Sequence, residues 1–312
     1  MKKISLLLIH IFVIFFFVSC SSDSSDSRYI YEEFPLERNG IALHLDRVTF
    51  GNGEPKNNIL LVHGVTYSSH EFNIDYKDYS LVKKLANEGY AVWRIDIAGF
   101  GQSEPVNDGF MPDSAYAADD VNAAVAFIVQ KTGKEKIDLL GWSWGTVVSS
   151  LATEANSTHL NKLVLYAPIL TGIGSYTVNE PFHHNTWEHA IDDFQLNEVG
   201  ELDYTITEPE VVEQWCSSCW HYDGDFSPNG GRRDICVPET TNLINLYALT
   251  IPTLLIYGDN DPYLNYEQLS NFTSNLPPNF KVEIINGASH VAMLEKPYYH
   301  DFQDRLITFL KK

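Results

Sequence analysis

Positive charge is scarce in this chain: 21 lysines and arginines stand against 41 aspartates and glutamates in 312 residues, a formal net charge of −20. No run of cations forms a basic stripe, so the phosphate-neutralising contacts that a nucleic-acid partner needs are missing. A polyanionic substrate would also be repelled at long range. Acidity of this kind most simply keeps an exposed surface soluble. Cysteine is rare too, with four in the whole chain, three of them in one stretch at Cys216, Cys219 and Cys236. Zinc is a poor fit there, because only His221 is near enough to add a ligand to the Cys216/Cys219 pair by local spacing. No βαβ pattern surrounds the pair, which argues against a redox motif. Long apolar runs are limited to residues 4–18, short of the ~20 residues that span a bilayer, and no internal repeat is visible. What remains is ordinary globular composition, 44% hydrophobic and 20% charged. The length suits one large α/β domain or two small ones.

The N-terminus reads as a targeting segment. Lys2 and Lys3 precede the apolar run, which ends in Phe17-Val18-Ser19-Cys20 and gives way to a polar Ser/Asp tract. This resembles a bacterial lipoprotein signal, in which the cysteine becomes the lipidated first residue. Such signals prefer leucine three places before the cysteine and glycine or alanine just before it, whereas Phe17 and Ser19 stand here. An ordinary cleaved signal with an incidental Cys20 therefore stays open. Both readings export the protein, with residues 1–20 as signal and 21–30 as linker. In an oxidising compartment three clustered thiols suggest one disulfide and one left over. Cys236 is expected to pair with Cys216 or Cys219, since a bridge across that span gains more than one between near neighbours.

Beyond the linker, strand-like runs flank Asn39-Gly40, a hairpin signal. The rhythm then alternates. Strands are expected at 59–62, 91–95, 137–140, 163–166, 253–257 and 282–285. Helices are expected at 81–88, 114–130, 144–155, 266–275 and 298–310. Alternation of this kind means a mostly parallel sheet with helices on both faces. Residues 170–249 break the rhythm, and a structureless loop of that size is improbable inside a compact domain. They read as an inserted, mainly helical cap, with the core made of 31–169 and 250–312.

Gly141-Trp142-Ser143-Trp144-Gly145 is a G-x-S-x-G pattern between an expected strand and an expected helix. The pattern alone is weak, and a glycine-rich turn with an incidental serine would look the same. Its position makes it informative, because a serine there lies on a sharp turn at a helix N-terminus. A nucleophilic serine needs a base, and the base an orienting acid. Asp261 follows the next-to-last strand and His290 follows the last. Residues just past the C-terminal ends of parallel strands converge on one edge, so Ser143, Asp261 and His290 can meet. Asp261 as a turn former and His290 as a loop histidine are the bland alternatives when each is taken singly. Acyl transfer also needs donors for the developing oxyanion. Trp144 N–H and Val65 N–H, the latter in the His63-Gly64-Val65 loop, are the candidates, with His63 ordering that loop.

These motifs, together with Asp96-Ile97-Ala98-Gly99-Phe100-Gly101-Gln102-Ser103, occur in an order that resembles the α/β-hydrolase family from about residue 31 to the end. Ala98 replaces the proline usual there. The resemblance implies a fold with a cap at 170–249, Ser143 as nucleophile, His290 as base and no metal or organic cofactor. It also chooses Asp261 over its neighbour Asp259 as the acid, and makes Asp96 and Ser103 structural. Trp144 is expected to line the acyl pocket and Trp142 to pack.

Three functions fit. The first is a hydrolase of small carboxylic esters, bound to a membrane through a lipid on Cys20. The second is an aminopeptidase of the proline-iminopeptidase kind. It would grip a substrate ammonium with acidic cap residues, for which Glu188, Glu198, Glu208, Glu210 and Glu213 are available. The third is a catalytically silent surface lipoprotein that binds a ligand.

Overall fold

The computed structural model describes residues 28–264, 269–270 and 273–312. The expected signal with Cys20, most of the linker and much of the helix expected at 266–275 lie outside the described residues. Two strands, β1 (Tyr29–Arg38) and β2 (Ile41–Phe50), form the hairpin, with both turn residues, Asn39 and Gly40, at positive φ. Six more strands follow in the main sheet: β3 (Asn57–Val62), β4 (Tyr90–Ile95), β5 (Ile137–Trp142), β6 (Leu160–Tyr166), then, after the inserted segment, Thr253–Gly258 and Phe280–Ile285. The order runs β1, β2, β4, β3, β5, β6, Thr253–Gly258, Phe280–Ile285. The hairpin joins antiparallel at one edge, and the other six strands are mutually parallel.

Apolar runs become inner strands because both faces are covered. Ile59 and Leu61 point into one core with α1 (Leu81–Asn87) and the C-terminal helix Tyr299–Leu310. Leu60 and Val62 point into the other, with α2 (Ser114–Thr132) and α3 (Trp144–Ala155). The end of α2 is set by Gly133 at φ 67°, which a side chain would strain. Its start is capped by Asp113, whose side chain accepts from Tyr116 N–H. The architecture is that of an α/β-hydrolase.

The inserted segment between β6 and Thr253–Gly258 carries β7 (Phe182–His184), α4 (Trp187–Ala190), α5 (Pro209–Asp223), β8 (Phe226–Pro228) and α6 (Gly230–Ile235). This is the inserted helical cap expected there, with the short strands β7 and β8 paired antiparallel beside its helices. The buried stripe of α5, Val211, Val212, Trp215, Cys216 and Cys219, follows helical spacing. Trp215 packs edge-on against Trp142 and Tyr67, so the insertion is keyed into the core beside the Ser143 turn.

The cysteines differ from expectation. Cys216, Cys219 and Cys236 are free thiols. The physical reason is the stripe itself: it commits Cys216 and Cys219 to the apolar packing around Trp215, while Cys236 closes the separate helix α6. Burial pushes the Cys216 thiol up to about 12 and Cys219 well above its ordinary value, so both behave as small hydrophobes rather than nucleophiles.

Candidate active site

Three strand ends build the site. At the end of β5 the chain turns sharply through Ser143, which sits at φ 55° and ψ −125°, a conformation costly for a non-glycine residue. The flanking glycines are there because nothing larger fits. A Cβ on Gly141 would lie 2.1 Å from Gly145 O, and one on Gly145 would lie 2.4 Å from Val62 O. The turn presents Ser143 to a cavity it shares with Gly64, Val65, Trp142 and Tyr263. Trp144 is the first residue of α3, so its N–H has no intrahelical acceptor. Among the described residues none accepts from Val65 N–H, in the loop after β3.

That loop is ordered from two sides. Ile97 N–H donates to His63 Nε2 at 3.1 Å, which leaves the proton on Nδ1 to donate to Gly64 O at 2.8 Å. Burial lowers the His63 pKa, in keeping with this neutral tautomer. Glu71, from the short 3₁₀ turn Ser69–Phe72, accepts from Gly64 N–H at 2.8 Å, and burial raises its pKa well above the usual carboxylate range. Sequence reasoning missed Glu71; a lone acid seven residues past the loop carries no local signal.

Past Thr253–Gly258, the Asp261 carboxylate divides its oxygens. Oδ2 accepts from His290 Nδ1 at 2.8 Å and Oδ1 from Tyr263 N–H at 2.9 Å. Both side chains are essentially inaccessible, at 0% for Asp261 and 1% for His290. Burial alone would lower the His290 pKa, but the Asp261 charge and hydrogen bond outweigh it and the pKa rises. Asp259 does something else. Its carboxylate accepts from Gly287 N–H and ties the two strand-end loops together. Behind His290, Glu295 accepts from Ser289 N–H and Oγ–H, fixing the histidine loop. Asp96 accepts from Ser69 and Gln102 N–H, and Ser103 Oγ–H donates to Asp96 O, which makes that pair a turn brace.

Trp142 packs in the core as expected and also borders the cavity, whereas Trp144 does not take the place expected of it. Trp144 is fully buried on the α2 side, donating to Ser114 Oγ at 2.9 Å, and does not line the cavity. The helix it opens turns its side chain inward, against Gly231 of α6. Trp142 lines the cavity, holds its ring tilted at 5.5 Å from that of His290, and donates to His290 O. None of the five cap glutamates reaches the cavity. Glu208, for one, faces Lys77, Tyr76 and Tyr79. Asp192, Asp193, His189 and Arg232 line it in their place.

The family model described as "Serine aminopeptidase, S33" matches residues 53–297, which spans both the Ser143 turn and the His290 loop. The chain belongs to this family. As an S33 member with this architecture it is an enzyme of the serine hydrolase class. Its similarity to the uncharacterized carboxylesterase nap of Bacillus subtilis is 25% identity over 249 residues, covering 77% of this chain and 75% of that protein. A shorter stretch of 153 residues, 44% of this chain and 38% of its relative, is 32% identical to gastric triacylglycerol lipase of Rattus norvegicus. Among solved structures, a thermophilic esterase from Thermogutta terrifontis superposes with a TM-score of 0.66 at 19% identity, over 90% of this chain and 98% of that one. Carboxylesterase CesB of Bacillus subtilis superposes with a TM-score of 0.60 at 18% identity, over 90% and 92%. At these identities the superpositions speak for the fold alone.

Proposed function

We propose that the protein hydrolyses small carboxylic esters through an acyl-enzyme on Ser143. One observation carries the reading. The strained Ser143 lines a cavity with Trp142 and Tyr263, and both of those rings lie against the His290 ring that Asp261 holds by a 2.8 Å hydrogen bond. His290 takes the Ser143 hydroxyl proton as Oγ attacks the acyl carbon, and the carbonyl oxygen becomes an anion held by Val65 and Trp144 N–H. Collapse breaks the bond to the alcohol oxygen, which leaves with the proton from the imidazolium. Water, deprotonated by the same imidazole, then attacks the acyl carbon, and the acid departs as Ser143 recovers its proton. Asp261 fixes the tautomer and stabilises the imidazolium. No step calls for a metal or organic cofactor.

The aminopeptidase reading is favoured by the family description and by Asp192 and Asp193 at the cavity, which could face an ammonium group. A panel of acyl p-nitrophenyl esters against prolyl-naphthylamide separates the two. Ester turnover should exceed amide turnover by orders of magnitude, and the reverse ranking overturns the esterase reading.

We further propose export and a lipid anchor on Cys20. Support comes from the sequence alone, although among the described residues no helix is long and apolar enough to cross a membrane. Palmitate should label the mature protein and be lost in Cys20→Ala. An unmodified N-terminus at another residue would contradict the anchor.

A further inference from the structure

The cavity beside Ser143 holds a guanidinium that, among the described residues, makes no ion pair. Four other arginines pair with carboxylates, Arg38 with Asp120, Arg47 with Glu32, Arg94 with Asp46, and Arg305 with Asp301 and Glu283, while the exposed Arg233 lies over the Phe110 ring. Arg232, on α6, is different. Its Nη2 donates to Thr66 Oγ1 at 2.7 Å and its Nε to Asn229 Oδ1 at 3.1 Å, both neutral oxygens. Among the described residues no carboxylate lies within ion-pair distance of it. A guanidinium carries five N–H donors in a fixed fork, so these two bonds leave donors over on a side chain that lines the cavity together with Ser143.

The surroundings leave this charge poorly offset. Burial disfavours the cation and lowers its pKa. The neighbouring His183 and His189 rings lie 4.3 Å apart, and burial, then the Arg232 charge, holds both pKa values down. His183 Nε2 and His189 Nδ1 are buried without hydrogen-bond partners. Neutral rings cannot balance a cation. Of the three acids at the cavity, Glu71 accepts from Gly64 N–H, Asp193 accepts the Tyr263 hydroxyl at 3.1 Å and reaches Arg232 only through space, and Asp192 is exposed. Burying a cation next to neutral groups is expensive unless a partner arrives, and an arginine fork suits a carboxylate taken by two parallel hydrogen bonds. Thr66, which Arg232 holds, directly follows Val65, so the guanidinium stands on the side where the acyl carbonyl oxygen would be held.

Building on the esterase reading, we infer that the substrate's acyl part carries a carboxylate and that Arg232 receives it. The natural class is then monoesters of dicarboxylic acids or similarly anionic acyl groups. One negative charge seated at a local cation is compatible with an acidic protein surface; a polyanion is not.

The test compares mono-p-nitrophenyl glutarate with p-nitrophenyl valerate, which match in acyl length and differ in charge, while a fluorophosphonate probe reports labelling of Ser143. Wild type should favour the glutarate ester at least tenfold in kcat/KM. Arg232→Gln should bring that ratio to one or below, mainly by raising KM for the glutarate ester, and Arg232→Lys should retain part of it. Equal use of the two esters by wild type, with Ser143 labelled, would overturn the inference and leave the esterase reading standing. So would a ratio unchanged in Arg232→Gln, or one preserved because both esters fall together, which would make Arg232 only a brace for Thr66. Neither ester turned over and Ser143 unlabelled would bring down both readings. The wild-type comparison decides even where a variant fails to fold.

Discussion

Ser143→Ala should fold normally and lose activity by roughly a millionfold, the scale on which a nucleophile fails when serine, histidine and acid act as a unit. The side chain lost is small and borders a cavity, so no core void is created; replacing a strained serine at φ 55° with alanine changes the turn little. Circular dichroism and a denaturation midpoint close to wild type establish the fold, and hydrolysis of a p-nitrophenyl ester measures the loss. Retention of more than a few per cent of wild-type activity would remove Ser143 from the nucleophile role.

Asp261→Asn should cost about 10⁴ in kcat, because the histidine loses both its tautomer and the charge that stabilises its cation. Asp259→Asn should cost far less, since that side chain ties Gly287 N–H rather than His290. The pH dependence gives a second reading of the same pair. Activity needs a neutral imidazole, and Asp261 raises the His290 pKa above its ordinary value against the opposing effect of burial. Wild-type kcat/KM should therefore fall as pH drops through that raised pKa. In Asp261→Asn only the smaller effect of the Asp193 charge still opposes burial, the pKa drops, and the residual activity should keep its plateau to lower pH. An acid limb that stays in place, or a larger loss in Asp259→Asn than in Asp261→Asn, would mean that the other carboxylate serves the histidine.

The fold was legible because its signals are local. Continuous apolar runs such as Ile59–Leu60–Leu61–Val62 mark strands covered on both faces, and the helix expected at 114–130 is found as α2 between its Asp113 cap and Gly133. The meeting of Asp261 and His290 was legible for the same reason, since strand ends of a parallel sheet converge whatever lies between them. The rest depends on tertiary packing. Which way Trp144 faces is decided by Ser114 and by the close approach of α6, where a Cβ on Gly231 would fall 2.3 Å from the indole. The Gly230-Gly231 pair was the available hint, since adjacent glycines inside a helix argue for such an approach. Glu71, Asp193 and Arg232 reach the cavity from the 3₁₀ turn and the inserted segment, in sequence contexts with no motif around them. Cys216 and Cys219 share the buried stripe of a helix, and a stripe of that kind is read only once the helix itself is known.

The central claim is a covalent acyl group on Ser143. Intact-mass and peptide mass spectrometry after brief exposure to a fluorophosphonate measures it most directly. The account predicts one adduct per chain, on the peptide containing Gly141-Trp142-Ser143-Trp144-Gly145, abolished in Ser143→Ala. No adduct on folded wild-type protein, or an adduct that persists in Ser143→Ala, would contradict it.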